Sequence, residues 1–239
     1  MSIATEIARL QQAKADIAEA IAKKGGEVSG TIDNYAQAIE ALPSGGGISE
    51  EYYNKLVNDA LDEPLIIPKD TVEIRHTHFQ SLNATTETIC PLLEFPEGSI
   101  SKGIGVYAFR YARIKKIIVP KSNKLNASYI FSSNPVLEEI IMHTNAYGGY
   151  MCANCENLKR VIYTNGNPYI ANNSFIGCTS LELVDLSKCS TVPTLASTNA
   201  FTNVPTSCKI RVPAALYDRW ITATNWSTLY TNGYNFVAV

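Results

Sequence analysis

The chain has 239 residues, 46% of them apolar, with 20 basic against 22 acidic side chains and a formal net charge of −2. That leaves room for one sizeable packed domain plus a smaller module, and it excludes a chain disordered throughout. The charge balance offers no basic excess with which to hold phosphates, so nucleic acid is not an expected partner.

Taken in chain order, Ile3, Ile7, Leu10, Ile17 and Ile21 fall on one stripe of a helix and fit an a/d heptad, with Lys14 in the remaining seam slot. Gly25 and Gly26 end it. A second helix is predicted from Ile32 to Leu42, with Thr31 as its cap, broken by Pro43 and the flexible run Ser44-Gly45-Gly46-Gly47. Helices this short need their stripes covered, either as a helical hairpin or by homo-oligomerisation. Ser49 to Leu61 reads as a third helix with Tyr52, Leu56 and Val57 on its buried side, and Pro64-Leu65-Ile66-Ile67-Pro68 as an extended lead-in. These segments set expected boundaries: a helical attachment module at 1–47 and a helix with linker at 48–70.

No apolar run approaches the roughly 18 to 20 residues that span a bilayer, so membrane insertion is not expected. Met1 to Lys24 intersperses acids and bases with alanines instead of forming an export signal. The string Ile3 to Ile17, followed by Thr31-Ile32-Asp33-Asn34-Tyr35-Ala36, resembles N-terminal segments of bacteriophage and prophage tail-associated proteins, which implies a virion attachment module.

From residue 71 an internal repeat takes over. Phe109 to Val119, Phe131 to Met142, Cys152 to Tyr163, Phe175 to Leu186 and Phe201 to Val212 each start on an anchor residue. In the first four an apolar residue follows five or six positions later: Ile114, Leu137, Leu158, Leu181. Three further on comes the row Ile117, Ile140, Val161, Val184, Ile210, and two beyond it Val119, Met142, Tyr163, Leu186, Val212. The steps of 23, 21, 23 and 26 residues lie in or near the leucine-rich-repeat range. A partial earlier unit, Cys90, Leu93 and Phe95, sits 24 residues before Ile114, Ile117 and Val119, with an upstream half around Phe79 and Leu82. Apolar positions two apart mark strands with one inward face, and equivalent strands of successive units can pair in parallel about 4.8 Å apart. One unit cannot bury its own apolar face, whereas a stack can.

Ala108-Phe109 through Ile117-Ile118-Val119-Pro120, and Ser174-Phe175-Ile176-Gly177-Cys178-Thr179-Ser180-Leu181, resemble BspA-type leucine-rich repeats, in which Ala-Phe is followed by a small residue or cysteine, then Leu, Ile and Ile/Val-Pro. The departures are His143, Thr164 and Ser187 in place of proline, and Cys152 in place of the anchor phenylalanine. The resemblance covers about residues 71–213 and implies a right-handed solenoid with an adhesion or interaction role. After Val212-Pro213, Ala214, Leu216, Tyr217, Trp220 and Ile221 take helical spacing and Phe236 to Val239 turn β-like, so 214–239 reads as the cap that an open end needs. The expected class is therefore α+β: a leucine-rich-repeat solenoid with a parallel β-sheet, N-terminal helices and a C-terminal cap.

Chemistry-bearing residues give way to packing on this register. Cys152 and Cys155 form a C-x-x-C, with Cys178 and Cys189 beyond, which raises a zinc site. Yet Cys152 shares the anchor column with the phenylalanines, and Cys155 and Cys178 share the next with Ala112, Asn134 and Val204, where cysteine is a small buried hydrophobe. His76 and His78 could share a face but lack a third ligand, and Gly103-Ile104-Gly105 reads as a turn, not a dinucleotide fingerprint. No metal, cofactor or catalytic residue is expected. Lys115-Lys116, Glu138-Glu139, Lys159-Arg160 and Glu182-Leu183 alternate in sign from unit to unit, which predicts ion pairs that disfavour slipped register. Between the inward rows, Ile118, Ile141 and Ile162 face outward as a candidate interaction stripe, and Tyr147, Tyr150 and Tyr169 lie in loops where they could meet sugar or protein. The expected function is non-enzymatic binding, by a phage or prophage tail-associated receptor-binding or structural component at a virion or cell surface, or by a BspA-like bacterial adhesin or assembly scaffold. Its partners would be a bacterial surface protein or glycan, or other virion proteins.

Overall fold

The computed structural model of the chain describes residues 62, 64–69, 71–76, 79–84, 88–100, 102–119, 127–143, 148–164 and 166–239. The three predicted N-terminal helices, Tyr147 and His78 lie outside them. Among the described residues ten strands run in chain order: β1 (Leu65–Ile66), β2 (Glu73–Ile74), β3 (Leu93–Glu94), β4 (Gly103–Ile104), β5 (Lys116–Val119), β6 (Glu139–Met142), β7 (Arg160–Tyr163), β8 (Leu183–Asp185), β9 (Lys209–Val212) and β10 (Asn235–Ala238). Two short helices, α1 (Tyr217–Thr222) and α2 (Trp226–Thr231), lie between the last two strands.

Eight strands form one parallel sheet in the order β1-β3-β5-β6-β7-β8-β9-β10, and β2 pairs with β4 in a separate parallel pair. The register is set by side chains. Leu93 pairs with Ile117, Ile117 with Ile140, Ile140 with Val161, Val161 with Val184 and Val184 with Ile210. All six are buried with essentially no exposure, so the expected interior row is continuous. A second row, Val119, Met142 and Tyr163, stacks beside it. Slipping any strand by one residue would turn its buried pair outward, which is why four-residue strands suffice to fix the alignment.

The anchors stack on the far side of the core. Phe79 lies on Phe109 at 5.0 Å between ring centroids, and Phe109 on Phe131 at 5.8 Å. Phe79 is thus the anchor of the partial first unit, and Cys90 bridges to Ile114 as the spacing requires. Backbone bonds tie this side from unit to unit as well: Phe109 N–H donates to Ile130 O, Phe131 to Met151 O and Cys152 to Ser174 O, all between 2.9 and 3.0 Å.

Two elements depart from the expectation. The extended lead-in is itself a strand of the main sheet, since Leu65 pairs with Leu93 and both Leu65 and Ile67 are buried. Gly103 and Ile104 form β4 instead of a turn. The glycine after it explains why: a Cβ on Gly105 would sit 2.4 Å from the backbone nitrogen of His76, so the glycine permits close strand approach.

At the other end, β10 adds in parallel to β9. Trp220, Trp226, Leu229 and Phe236 join the same core, with Trp226 edge-on to Phe201 at 6.2 Å and its Nε1–H donating to Pro193 O at 2.8 Å. The Tyr234 hydroxyl meets Phe201 O and Val204 O at 2.9 and 3.1 Å.

Candidate functional site

The outer face of the sheet carries three side-chain rows. Alternation along β5, β6 and β7 buries Ile117, Ile140 and Val161 and turns Ile118, Ile141 and Ile162 outward, where they pair strand to strand and stand half-buried. Glu94 continues this row at one end, and Asp185 with Arg211 at the other, joined by a 2.9 Å hydrogen-bonded ion pair. Beside it run the expected ion pairs. Glu139 meets Lys116 at 2.8 Å and Arg160 at 3.3 Å, and Glu138 meets Lys115 and Lys159, each at 3.6 Å. The alternation stops at Leu183, which stands in register between Arg160 and Lys209. A shallow hollow opens there, lined by Arg160, Glu182, Leu183, Ser207, Lys209 and Arg211.

The cysteines belong to the interior. Cys155 Sγ–H donates to Phe131 O at 3.2 Å and Cys178 Sγ–H to Cys152 O at 3.1 Å, each reaching the anchor carbonyl of the preceding unit. Burial pushes the Cys155 thiol up to about 12 and holds those of Cys152 and Cys178 well above their ordinary value. All six are free thiols in buried positions. Buried thiols such as those of Cys155 and Cys178, bonded to backbone carbonyls, serve here as small packing groups.

The loop tyrosines behave differently. Tyr150 stacks on Tyr129, with centroids 4.4 Å apart and planes 14° apart, and Tyr129 lies 5.2 Å from Tyr107. His76 closes the row edge-on to Tyr107 at 5.5 Å. Sequence reading singled out Tyr150 but missed Tyr107 and Tyr129. The signal was present: each tyrosine stands two residues before its anchor, Phe109, Phe131 or Cys152. Tyr169 stands six residues before its anchor, Phe175, and so occupies another column. Desolvation, reinforced by Tyr150 and Tyr107, raises the Tyr129 hydroxyl above its ordinary value.

This column is conformationally costly. Tyr107, Tyr129 and Tyr150 have φ of 60°, 60° and 56°, while the next unit places Asn173 at the same position with φ 58°. The left-handed region costs a bulky residue roughly 1–2 kcal/mol and asparagine less. An aromatic pair returns about 0.5–1.5 kcal/mol, so the stack gains the fold little net stability. Arg110 lies over three rings, 4.5 Å from the centroid of Tyr111, 5.0 Å from Tyr107 and 5.8 Å from Tyr129. Its Nε is buried without a hydrogen-bond partner.

In-register parallel strands on a repeat of two dozen residues define a leucine-rich-repeat-like protein. A family model of the BspA type leucine rich repeat region matches residues 57–182 in six copies, more than half of the chain. The chain belongs to the BspA-type leucine-rich-repeat family. No curated protein and no solved structure matches it. Among the described residues no helix is long and apolar enough to cross a membrane.

Proposed function

We propose that the chain is a leucine-rich-repeat solenoid that acts without catalysis, as an adhesin-like or scaffolding module, and that it recognises a protein partner on the outer face of its sheet. The observation carrying this reading is the row Ile118, Ile141, Ile162: three apolar side chains aligned on an accessible face, with acids beyond both ends. Packing does not require isoleucine there, because alternation alone would be met by the polar residues that the same row carries at Glu94 and Asp185. An apolar strip rimmed by charge is the usual composition of a recognition surface.

Family membership supports this recognition role. The narrower virion form of the proposal rests on the tail-protein resemblance of residues 3–36, and tail genes beside its own gene would favour that form. The test is capture of a bacterial envelope or virion protein by the immobilised full chain, repeated with Ile141→Asp. We expect capture by the parent chain and its loss in the variant, which stays folded with a cooperative thermal transition lowered by only a few degrees. Equal capture by both would refute the assignment to this face.

A further inference from the structure

On a different surface from the sheet face, and resting on the reading of the chain as a recognition protein, we infer that Tyr107, Tyr129, Tyr150 and Arg110 form a binding site for a carboxylated saccharide. Tyr129 stands 11 residues before Ile140 in a repeat of 21–23, about half a turn of chain away from the sheet.

Three observations converge on the ligand. The first is strain: three successive units hold tyrosine in a left-handed conformation that the fourth satisfies with Asn173. Strain of this kind persists where surrounding structure over-determines it, and it collects at ligand sites. Here the surroundings do so, since Tyr129 N–H donates to Gly149 O at 3.0 Å and Tyr150 N–H to Asn172 O at 3.0 Å, fixing the rung spacing. The second is uncompensated charge. Arg110 is held over the tyrosine rings with no carboxylate in ion-pair reach among the described residues. The same column in the next two units carries Ser132 and Ala153, both buried, so the cation is not a repeat requirement. The third is the mixture of groups. Half-exposed rings with phenolic hydroxyls at about one-strand spacing offer apolar edges and hydrogen-bond partners to successive sugar units, and a fixed guanidinium offers a fork to a carboxylate. A purely acidic peptide would use the arginine but not the row of rings, which favours the saccharide.

The experiment is calorimetric titration of the full chain with a galacturonate hexamer and with a sialylated trisaccharide, which separate the two common sources of a sugar carboxylate. Controls are the methyl-esterified hexamer and hexaglutamate. We expect binding of at least one carboxylated saccharide, none of the ester, and a loss of affinity of tenfold or more in Arg110→Gln and in Tyr129→Asn. Asparagine tolerates the left-handed backbone, so Tyr129→Asn keeps the parent unfolding midpoint; should that variant unfold, Tyr150→Asn carries the same test. Failure of both saccharides to bind, variant affinities within twofold of the parent, or equal affinity for hexaglutamate would each overturn the proposal. Ile141→Asp separates the two surfaces: a chain that captures its protein partner but binds no saccharide defeats this inference alone.

Discussion

Ile140 and Ile141 are neighbours in sequence and opposites in environment, which makes them the sharpest test of the fold. Ile140 has no exposure and lies between Ile117 and Val161 in the buried row, whereas Ile141 is half-buried between Ile118 and Ile162 on the outer face. Truncating a buried isoleucine to alanine removes its transfer energy and leaves a cavity, a combined loss of about 2–5 kcal/mol. Because the buried residues from Leu65 to Phe236 make one contiguous core, the loss is expected to show in the global transition. At roughly 2–4 °C per kcal/mol for a chain of this size, Ile140→Ala should lower the midpoint by about 4–20 °C. Ile141→Ala should cost under about 1 kcal/mol, because its side chain already meets water. Urea and thermal unfolding followed by circular dichroism read both. If the two variants lose the same stability, or if Ile140→Ala loses less than about 1 kcal/mol, the assignment of inward and outward rows is wrong.

The ion-pair rows give a salt-dependent prediction: Glu139→Lys replaces attraction to Lys116 and Arg160 with repulsion, costing about 0.5–2 kcal/mol at low ionic strength. Most of that difference from the parent should vanish in 1 M salt, about the condition at which the screening length falls to 3 Å, as urea unfolding at both salt levels would show. Cys155 predicts a pH dependence, since its thiol ionises near 9 when unfolded and at about 12 in the fold. Its contribution is complete below pH 9 and is lost at about 1.4 kcal/mol per pH unit as pH rises toward 12. Unfolding at pH 8 and 10.5 should therefore show a smaller fall for Cys155→Ala than for the parent chain. Asn134 is buried, donates from Nδ2 to Ile114 O at 2.9 Å and accepts from Val136 N–H at 3.1 Å. Its replacement by alanine should cost about 1–3 kcal/mol in the same denaturation assay.

Much of the sheet was legible because two periods coincide. The spacing of two within each strand and of about two dozen between strands selects Ile117, Ile140, Val161, Val184 and Ile210 without any three-dimensional knowledge, and the alternating charge pairs confirm the register from the opposite face. The β2–β4 pair was hidden because each strand has two residues and its glycines carry turn chemistry. Only the approach of Gly105 to His76 shows that they are there for contact. The tyrosine column was half-legible for a related reason. Its members lie in segments of unequal length, 21 or 22 residues apart, and tyrosine is a poor sequence marker for a left-handed residue.

A repeat protein supplies its own controls, since each column shows the same position solved several times. At two residues past the anchor, Ser81, Ser133, Asn154, Gly177 and Asn203 all take positive φ with side chains that are small or tolerate it, and Tyr111 alone does so with a bulky ring. A departure that stands alone can be absorbed by packing, as Cys152 is in the phenylalanine column, where it sits fully buried. Arg110, Tyr111, Tyr107, Tyr129 and Tyr150 depart together: three of the rings lie around the Arg110 cation, which has no ion-pair partner among the described residues, and Tyr150 extends the row by stacking on Tyr129. Folding alone would favour asparagine, serine or alanine at these positions, as neighbouring units show. The carboxylated saccharide proposed above would give these choices a common reason, since ring stacking and the cation over the rings return only about what the left-handed backbone costs.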